Sequence, residues 1–198
     1  MSDDETPLLR CAEGNFILKM YTKWIPEKSK WKAAYEKGLD VSLNENENIL
    51  YLGASSGSTI SFISKYTKGI IFSVEKSPKM MIPLIKKSLK IKNVFPLFCD
   101  ARNIDYINSK IKDTKINILF QDIPSFDQVE ILINASKLVD KDCKIFFSLK
   151  TKSISQGDSF VTYKKVKEKL KKFFEIIDET NLEPYHKFHW FFILKKSS

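Results

Sequence analysis

The stretch NILYLGASSGST, residues 48–59, decides the fold of this chain. Its apolar run, residues 49–52, predicts a buried strand, and a helical pattern begins after the turn that contains Gly53 and Gly57. Glycines at such a turn let the backbone approach a ligand closely, and the following helix offers free N–H groups. The stretch is neither GxGxxG nor a P-loop, so by itself it fits an ordinary tight turn as well as a cofactor loop.

Short apolar runs recur after this stretch and alternate with segments of helical periodicity. They predict strands over residues 49–52, 70–74, 94–98, 116–120 and 144–149. Buried runs that alternate with helices are typical of a parallel sheet covered by helices on both faces. The sequence therefore predicts an α/β, Rossmann-like fold with a mostly parallel sheet.

The last part of the chain breaks this alternation. A helix is predicted over residues 160–174, with Tyr163, Val166, Leu170 and Phe173 on one face. Its lysines fit a solvated face or a groove for nucleic acid. Two strands, residues 174–178 and 188–194, follow with no room for a helix between them, so this pair must be antiparallel.

Length and composition indicate one globular unit. The 198 residues, 43% hydrophobic and 29% charged, suffice for one full domain, predicted over residues 24–198, after a short appendage with a hairpin pattern over residues 1–23. No apolar run reaches the ~20 residues of a membrane span, so we expect a cytosolic protein that does not contact a membrane. Three cysteines without CxxC spacing predict reduced core residues and no metal site.

Charge indicates the class of partner. The formal net charge is +9. Clustered cations bind phosphate backbones by releasing counterions, so a polyanionic partner such as RNA is favoured.

Acidic residues follow three successive predicted strands. Glu75, Asp100 and Asp122 occupy these positions, and open sheets bind ligands at the carboxyl ends of their strands. Glu75 is placed to accept hydrogen bonds from ribose hydroxyls, which indicates an adenosine cofactor without a 2′-phosphate. Asp100 could instead cap the helix that follows it.

Several segments together resemble the fibrillarin family, in particular its archaeal members. In chain order the segments are Trp24-Ile-Pro-Glu-Lys-Ser-Lys30 with Ala33 and Ala34, Leu50-Tyr-Leu-Gly-Ala-Ser-Ser-Gly-Ser-Thr59, Val74-Glu75, Asp100-Ala-Arg102, Phe120-Gln-Asp122 with Asp127-Gln128, Ser148-Leu-Lys150, and Leu182-Glu-Pro-Tyr185 with His189. They span about residues 24 to 195. The resemblance implies a class I methyltransferase sheet, with an antiparallel last strand, that binds S-adenosylmethionine.

The same resemblance implies an activity and partners. The activity is guide-directed 2′-O-methylation of ribosomal RNA, and in archaea also of transfer RNA. The partners are a box C/D guide RNA with its target RNA, a Nop-domain scaffold protein and a kink-turn-binding ribosomal-type protein. Because the chain lacks the Arg-Gly repeats of eukaryotic members, an archaeal cytoplasm is expected rather than a nucleolus.

The resemblance also assigns site residues. The catalytic set would be Lys30, Asp122, Lys150 and His189. We expect Lys150 to be the base, Lys30 to orient the ribose or phosphate, Asp122 to bind an ammonium and the cofactor's amino group, and His189 to assist positioning. The cofactor contacts would be Gly53, Ala54, Ser55, Ser56, Gly57, Ser58, Thr59, Glu75, Asp100, Ala101, Asp122 and Gln128.

Local sequence leaves alternatives open for these residues. Lys30 lies among other lysines and fits a surface position, Lys150 fits an ordinary strand end, and His189 fits a structural histidine. Tyr185 and Trp190 could stack on bases or pack in the core.

Three other functions remain as alternatives. One is guide-independent RNA 2′-O-methylation, and another is methylation of protein glutamine. The third is a catalytically silent subunit of the ribonucleoprotein.

Overall fold

A computed structural model describes residues 24–197, which form a seven-stranded sheet in the order β3-β2-β1-β4-β5-β7-β6. The strands are β1 Ile49–Leu52, β2 Ile71–Glu75, β3 Val94–Phe98, β4 Ile118–Gln121, β5 Lys144–Lys150, β6 Phe174–Asn181 and β7 His189–Lys196. Strands β1 to β5 pair in parallel, and β7 is antiparallel to both β5 and β6. The predicted fold class is confirmed, whereas the predicted appendage with its hairpin pattern, residues 1–23, lies outside the described residues.

Helices connect the strands and cover the sheet. They are α1 Lys30–Glu36, α2 Ile60–Ile63, α3 Pro78–Ser88, α4 Ile104–Ile111, α5 Gln128–Ser136, α6 Thr151–Ile154 and α7 Ser159–Leu170, with a 3-10 turn at Pro26–Lys28 before α1. Side-chain oxygens of Ser29, Asn103 and Asp158 accept N–H groups from the first turns of α1, α4 and α7. These caps satisfy donors that a helix start otherwise leaves free. No helix among residues 24–197 has the length and apolarity needed to cross a membrane.

The predicted boundaries differ from the observed ones mainly near the C-terminal end. Strand β6 continues beyond Asp178 to Asn181, because its polar residues still pair with β7. Helix α7 ends at Leu170, so the prediction that Phe173 shares one helix face with Tyr163, Val166 and Leu170 is wrong. Those three residues are buried, whereas the exposed fraction of Phe173 is 44%.

Trp31 fixes the position of α1 against the sheet. Its side chain is fully buried and contacts Phe120 and Phe146 edge-on, with ring centroids 5.1 and 5.0 Å apart. Its indole N–H donates to the carbonyl of Val41 at 3.0 Å. Because Lys30 directly precedes Trp31, the same packing places Lys30 beside the end of β4.

Candidate active site

The four predicted catalytic residues lie at the ends of elements that are far apart in sequence. Lys30 begins α1, Asp122 follows β4, Lys150 ends β5, and His189 begins β7. Lys30 Nζ lies 3.0 Å from Asp122 Oδ2. Lys150 and His189 are direct partners in the antiparallel β5–β7 register. The sheet therefore brings this set together at the carboxyl ends of its central strands.

His189 is neutral in this environment. Burial lowers its pKa to about 4, the Lys187 carbonyl opposes this shift, and the Lys30 ammonium adds to it. Nδ1 lies 2.8 Å from the Lys187 carbonyl oxygen, which can only accept, so Nδ1 carries the proton. The Nε2 atom of the neutral ring is thus an acceptor.

His186 is a second histidine in this region that the sequence analysis did not single out. Its Nε2–H donates to the Pro26 carbonyl at 2.8 Å, and its ring centroid lies 5.7 Å from that of His189. Burial lowers the pKa of His186 as well. The hydrogen bond joins the β6–β7 connection to the turn just before Lys30, a contact across 160 positions that no local pattern signals.

Gly53 lets the end of β1 approach Asp122. Its φ angle is +82°, and a Cβ atom there would lie 2.5 Å from the Asp122 carbonyl oxygen. The N–H groups of Gly53 and Ala54 both donate to the Val74 carbonyl at 3.0 Å. A glycine is therefore required at the place where the loop turns beside Asp122.

A cavity of about 300 Å³ opens next to this set. Its lining residues are Gly53, Ser55, Val74, Glu75, Lys76, Cys99, Asp100, Ala101, Arg102, Asp122, Ile123, Pro124 and Ser125. The walls thus combine three carboxylates with apolar side chains, as small-molecule sites commonly do. A larger cavity, of about 420 Å³ beside Asp142 and Lys144, contains none of the catalytic candidates.

Glu75 is fixed in orientation by backbone hydrogen bonds. Its Oε2 accepts from Ser55 N at 2.8 Å, and its Oε1 accepts from Ser77 N at 2.7 Å. Each carboxylate oxygen retains a further lone pair. The carboxylate can therefore still accept hydrogen bonds from a pair of ribose hydroxyls.

Arg102 bridges two walls of the cavity. Its guanidinium binds Asp127 through Nε and Nη2 at 2.8 and 2.6 Å, Asp100 through Nη1 at 2.9 Å, and Ser125 Oγ at 3.0 Å. Hydrogen bonding from Arg102 lowers the pKa of Asp127 to about 2. Burial alone would raise the pKa of Asp100, but hydrogen bonds from Arg102 and Lys76 bring it below its usual value.

The structure places some of the predicted cofactor contacts in the cavity and others outside it. Gly53, Ser55, Glu75, Asp100, Ala101 and Asp122 line it, whereas Ala54, Ser56, Gly57, Ser58, Thr59 and Gln128 do not. The Thr59 hydroxyl donates to Ser29 Oγ at 3.0 Å, which ties the loop to the start of α1. Gln128 is fully buried, and its amide binds backbone atoms.

Two alternatives from the sequence are resolved by these contacts. Asp100 does not cap the following helix, because Asn103 does so through its hydrogen bond with Tyr106 N. Trp190 stacks on Tyr163 with ring centroids 3.6 Å apart. Tyr185 packs against the hydrophobic core on the face of the sheet that contacts Trp31. The packing interpretation of both aromatic residues is confirmed.

Several cavity residues were missed by sequence reasoning. They are Val74, Lys76, Cys99, Arg102, Ile123, Pro124 and Ser125. Cys99 was expected in the core but is half-buried at the cavity wall, whereas Cys143 is buried as predicted, with its pKa raised to about 12 by burial. Among residues 24–197, no three His, Cys, Asp or Glu side chains are arranged so that they could hold a metal ion.

Comparisons with known proteins identify the family of this chain. The sequence model of the Fibrillarin family matches residues 11–198. A fibrillarin-like rRNA/tRNA 2′-O-methyltransferase from Methanosarcina mazei is 34% identical over 179 residues, which covers 85% of this chain and 77% of the relative.

Two solved structures are also similar. The fibrillarin of a fibrillarin/Nop5p complex has a TM-score of 0.86 and 29% identity, and the match covers 93% of this chain and 89% of that one. The fibrillarin of Aeropyrum pernix with natively bound S-adenosyl-L-methionine has a TM-score of 0.75 and 27% identity, with 86% and 76% of the two chains covered. The chain described here therefore belongs to the fibrillarin family.

Proposed function

We propose that this chain is an S-adenosylmethionine-dependent methyltransferase that modifies ribose 2′-hydroxyls of ribosomal and transfer RNA under the direction of a box C/D guide RNA. The observation that carries the proposal is the Lys30–Asp122 ion pair: Asp122 lines the cavity that contains Glu75, and the Lys30 charge acts on His189 at the start of β7. Family membership supports it, because the named relatives are rRNA/tRNA 2′-O-methyltransferases.

The residues of the cavity fit S-adenosylmethionine. Glu75 would bind the ribose hydroxyls of its adenosine, and the apolar side chains of Val74, Ile123 and Pro124 suit an adenine ring. Asp122 lies on the side of the cavity nearest Lys30. When bound, the cofactor supplies an electrophilic methyl group on its sulfonium.

The catalytic residues would act on the acceptor nucleotide. Lys150 would accept the proton of the 2′-hydroxyl as that oxygen becomes the nucleophile. The Lys30 ammonium, which Asp122 fixes in position, orients the ribose or its phosphate. Neutral His189 would accept a hydrogen bond at Nε2 and so help to position the acceptor nucleotide. Most of the rate advantage then comes from orientation of the 2′-oxygen in line with the methyl group.

The partners follow from the same assignment. A related fibrillarin forms a complex with Nop5p, which supports a Nop-domain scaffold protein as a partner of this chain. The net charge of +9 is consistent with binding to guide and target RNA. A kink-turn-binding ribosomal-type protein would complete the assembly, and we expect it to act in an archaeal cytoplasm.

The test measures transfer of label from radioactive S-adenosylmethionine to a short target RNA. Reactions contain the chain alone or together with the scaffold protein, the kink-turn protein and a matching guide RNA. A parallel target carries one 2′-deoxy nucleotide at the position that the guide selects. We expect label only in the full assembly, and none on the deoxy target.

The other outcomes distinguish the alternatives. Full activity on RNA without the assembly would show a guide-independent enzyme. Labelling of the deoxy target would exclude ribose chemistry. Binding of S-adenosylmethionine without transfer in the full assembly would indicate a catalytically silent subunit.

A further inference from the structure

Strand β5 extends beyond its neighbour β4. Their last paired residues are Gln121 and Phe147, whereas β5 continues to Lys150 and pairs there only with β7. The backbone of Lys150 thus needs hydrogen-bond partners on the side of β4, because unpaired polar groups inside a protein are costly.

The side chain of Gln128 supplies these partners. Its Oε1 accepts from Lys150 N at 2.9 Å, and its Nε2 donates to the Lys150 carbonyl at 3.1 Å. The Gln128 amide therefore supplies both the acceptor and the donor that a longer β4 would otherwise offer to Lys150.

The remaining bonds of Gln128 join this amide to the cavity wall. Nε2 also donates to the Ser125 carbonyl at 2.7 Å, so both donors and the acceptor oxygen are used. The backbone carbonyl of Gln128 in turn accepts from Gln121 Nε2 at 2.6 Å. Because Gln128 is fully buried, water does not compete for these bonds.

We propose that Gln128 is a positioning residue for Lys150: its amide fixes the backbone from which the lysine reaches the acceptor ribose, and it couples that position to Ser125 at the cofactor cavity. This inference rests on the proposed function, in which Lys150 accepts the proton. It differs from the role in cofactor contact that the family resemblance implied for Gln128.

The chemistry of the position requires an amide. A glutamate carboxylate could accept from Lys150 N but would direct its other oxygen at the carbonyls of Lys150 and Ser125. Only the protonated carboxyl could donate to one of them. A methionine has similar length and removes all three bonds. These two substitutions therefore separate hydrogen bonding from side-chain volume.

The experiment compares Gln128→Met and Gln128→Glu with the control Asn93→Leu, which removes a partly buried amide that donates to the carbonyls of Thr67 and Gly69 and binds neither Gln128, Lys150 nor the cavity. Hydrogen exchange of the Lys150 amide is measured by NMR. The single-turnover rate in the full assembly, the KM for target RNA and the Kd for S-adenosylmethionine are measured in parallel.

We expect Gln128→Met to expose the Lys150 amide to exchange at least about tenfold faster and to lower the single-turnover rate about 100-fold, because a misplacement of about 1 Å costs this much. Its Kd and KM should stay within about threefold of the wild type. The rate of Gln128→Glu relative to that of the wild type at the same pH should rise as the pH falls and the new carboxyl becomes protonated. Asn93→Leu should keep its rate within about threefold.

Three results would overturn the proposal. They are an unchanged exchange rate at Lys150 in Gln128→Met, a normal transfer rate in that variant, and equal rate losses in Gln128→Met and Asn93→Leu. The variant Lys150→Ala distinguishes failure of the positioning role of Gln128 from failure of the proposed function. A fully active Lys150→Ala would refute the role of the lysine as base, whereas an inactive Lys150→Ala beside a normal Gln128→Met would refute only the positioning role.

Discussion

The ion pair between Lys30 and Asp122 joins α1 to the end of β4, with 3.0 Å between Nζ and Oδ2. The two side chains retain only 26% and 14% of their exposure, so water solvates each charge only in part. Such a pair depends on both partners, because loss of one leaves the other charge poorly compensated. The Trp31 contacts keep α1 in this position, and the Gly53 turn keeps Asp122 in its place.

Lys30→Met should lower the single-turnover rate of methyl transfer about 100-fold, because the acceptor ribose would no longer be oriented. The Kd for S-adenosylmethionine, measured by calorimetry, should change by less than about threefold. Lys28→Met is the matched control, since Lys28 is exposed. Equal losses of rate in the two variants would contradict a specific role for Lys30.

Lys150→Ala should abolish methyl transfer, because the proton of the 2′-hydroxyl would lose its acceptor. Binding of S-adenosylmethionine should be nearly unchanged, since Lys150 does not line the cavity. Single-turnover labelling in the full assembly and calorimetry measure the two quantities. A parallel loss of transfer and of cofactor binding would argue against Lys150 as the base.

Glu75→Gln should weaken binding of S-adenosylmethionine at least about tenfold. The new side chain would offer one acceptor oxygen instead of two to the ribose hydroxyls, and its NH₂ group would face the N–H of Ser55 or of Ser77 and disturb the orientation of the side chain. The rate at saturating cofactor should fall much less. Asp105→Asn changes an exposed carboxylate on α4 and serves as the control. Unaltered affinity in Glu75→Gln would exclude Glu75 from the cofactor site.

The parts of the fold that depend on short-range patterns could be predicted from the sequence. Buried runs such as Ile49–Leu52 are continuous because both faces of a parallel strand are covered. The antiparallel end followed from the short distance between the last two strands. Phe173 was assigned wrongly, because helical periodicity does not show where the last turn of α7 stops.

The residues that form the site were harder to predict from the sequence. Glu75 and Asp100 could be found because parallel strands end at one edge of a sheet. Ser125 and the bridge from Arg102 to Asp127 depend on the conformation of the turn after β4, for which no periodic signal exists. Gln128 illustrates the limit of resemblance: the residue matched the family segment, but its amide is directed at the Lys150 backbone rather than into the cavity.

His189 predicts a pH dependence of stability. Its folded-state pKa of about 4 lies below the ordinary 6.5, so between these values the unfolded chain binds more protons than the folded one. The contribution of neutral His189 to the free energy of unfolding should therefore be complete above pH 6.5 and decrease as the pH drops toward 4.

Denaturant unfolding at several pH values measures this effect. His189→Gln should show a shallower decline across that window, although His186, whose pKa is also lowered, will preserve part of the slope. An unchanged slope in His189→Gln would contradict a neutral His189. NMR titration of the imidazole provides an independent value of the pKa.

Gly53→Ala and Gly38→Ala form a matched pair that tests the contact between the loop and Asp122. Both glycines have positive φ angles, +82° and +90°, but a Cβ at Gly38 would meet no atom within 4 Å. Gly38→Ala should therefore cost only the backbone strain, about 1–2 kcal/mol of unfolding free energy, and leave methyl transfer intact.

Gly53→Ala adds a clash with the Asp122 carbonyl at 2.5 Å and with Ile123 Cγ1 at 2.8 Å. Relief of this clash must displace Asp122 from Lys30 or the loop from the cavity. We expect a loss of about 3 kcal/mol or more in stability and, in protein that remains folded, a fall in both cofactor affinity and transfer rate. Denaturant unfolding and single-turnover labelling measure these changes. If both variants lost only stability, and by the same amount, the close approach of Gly53 to Asp122 would have no part in the activity.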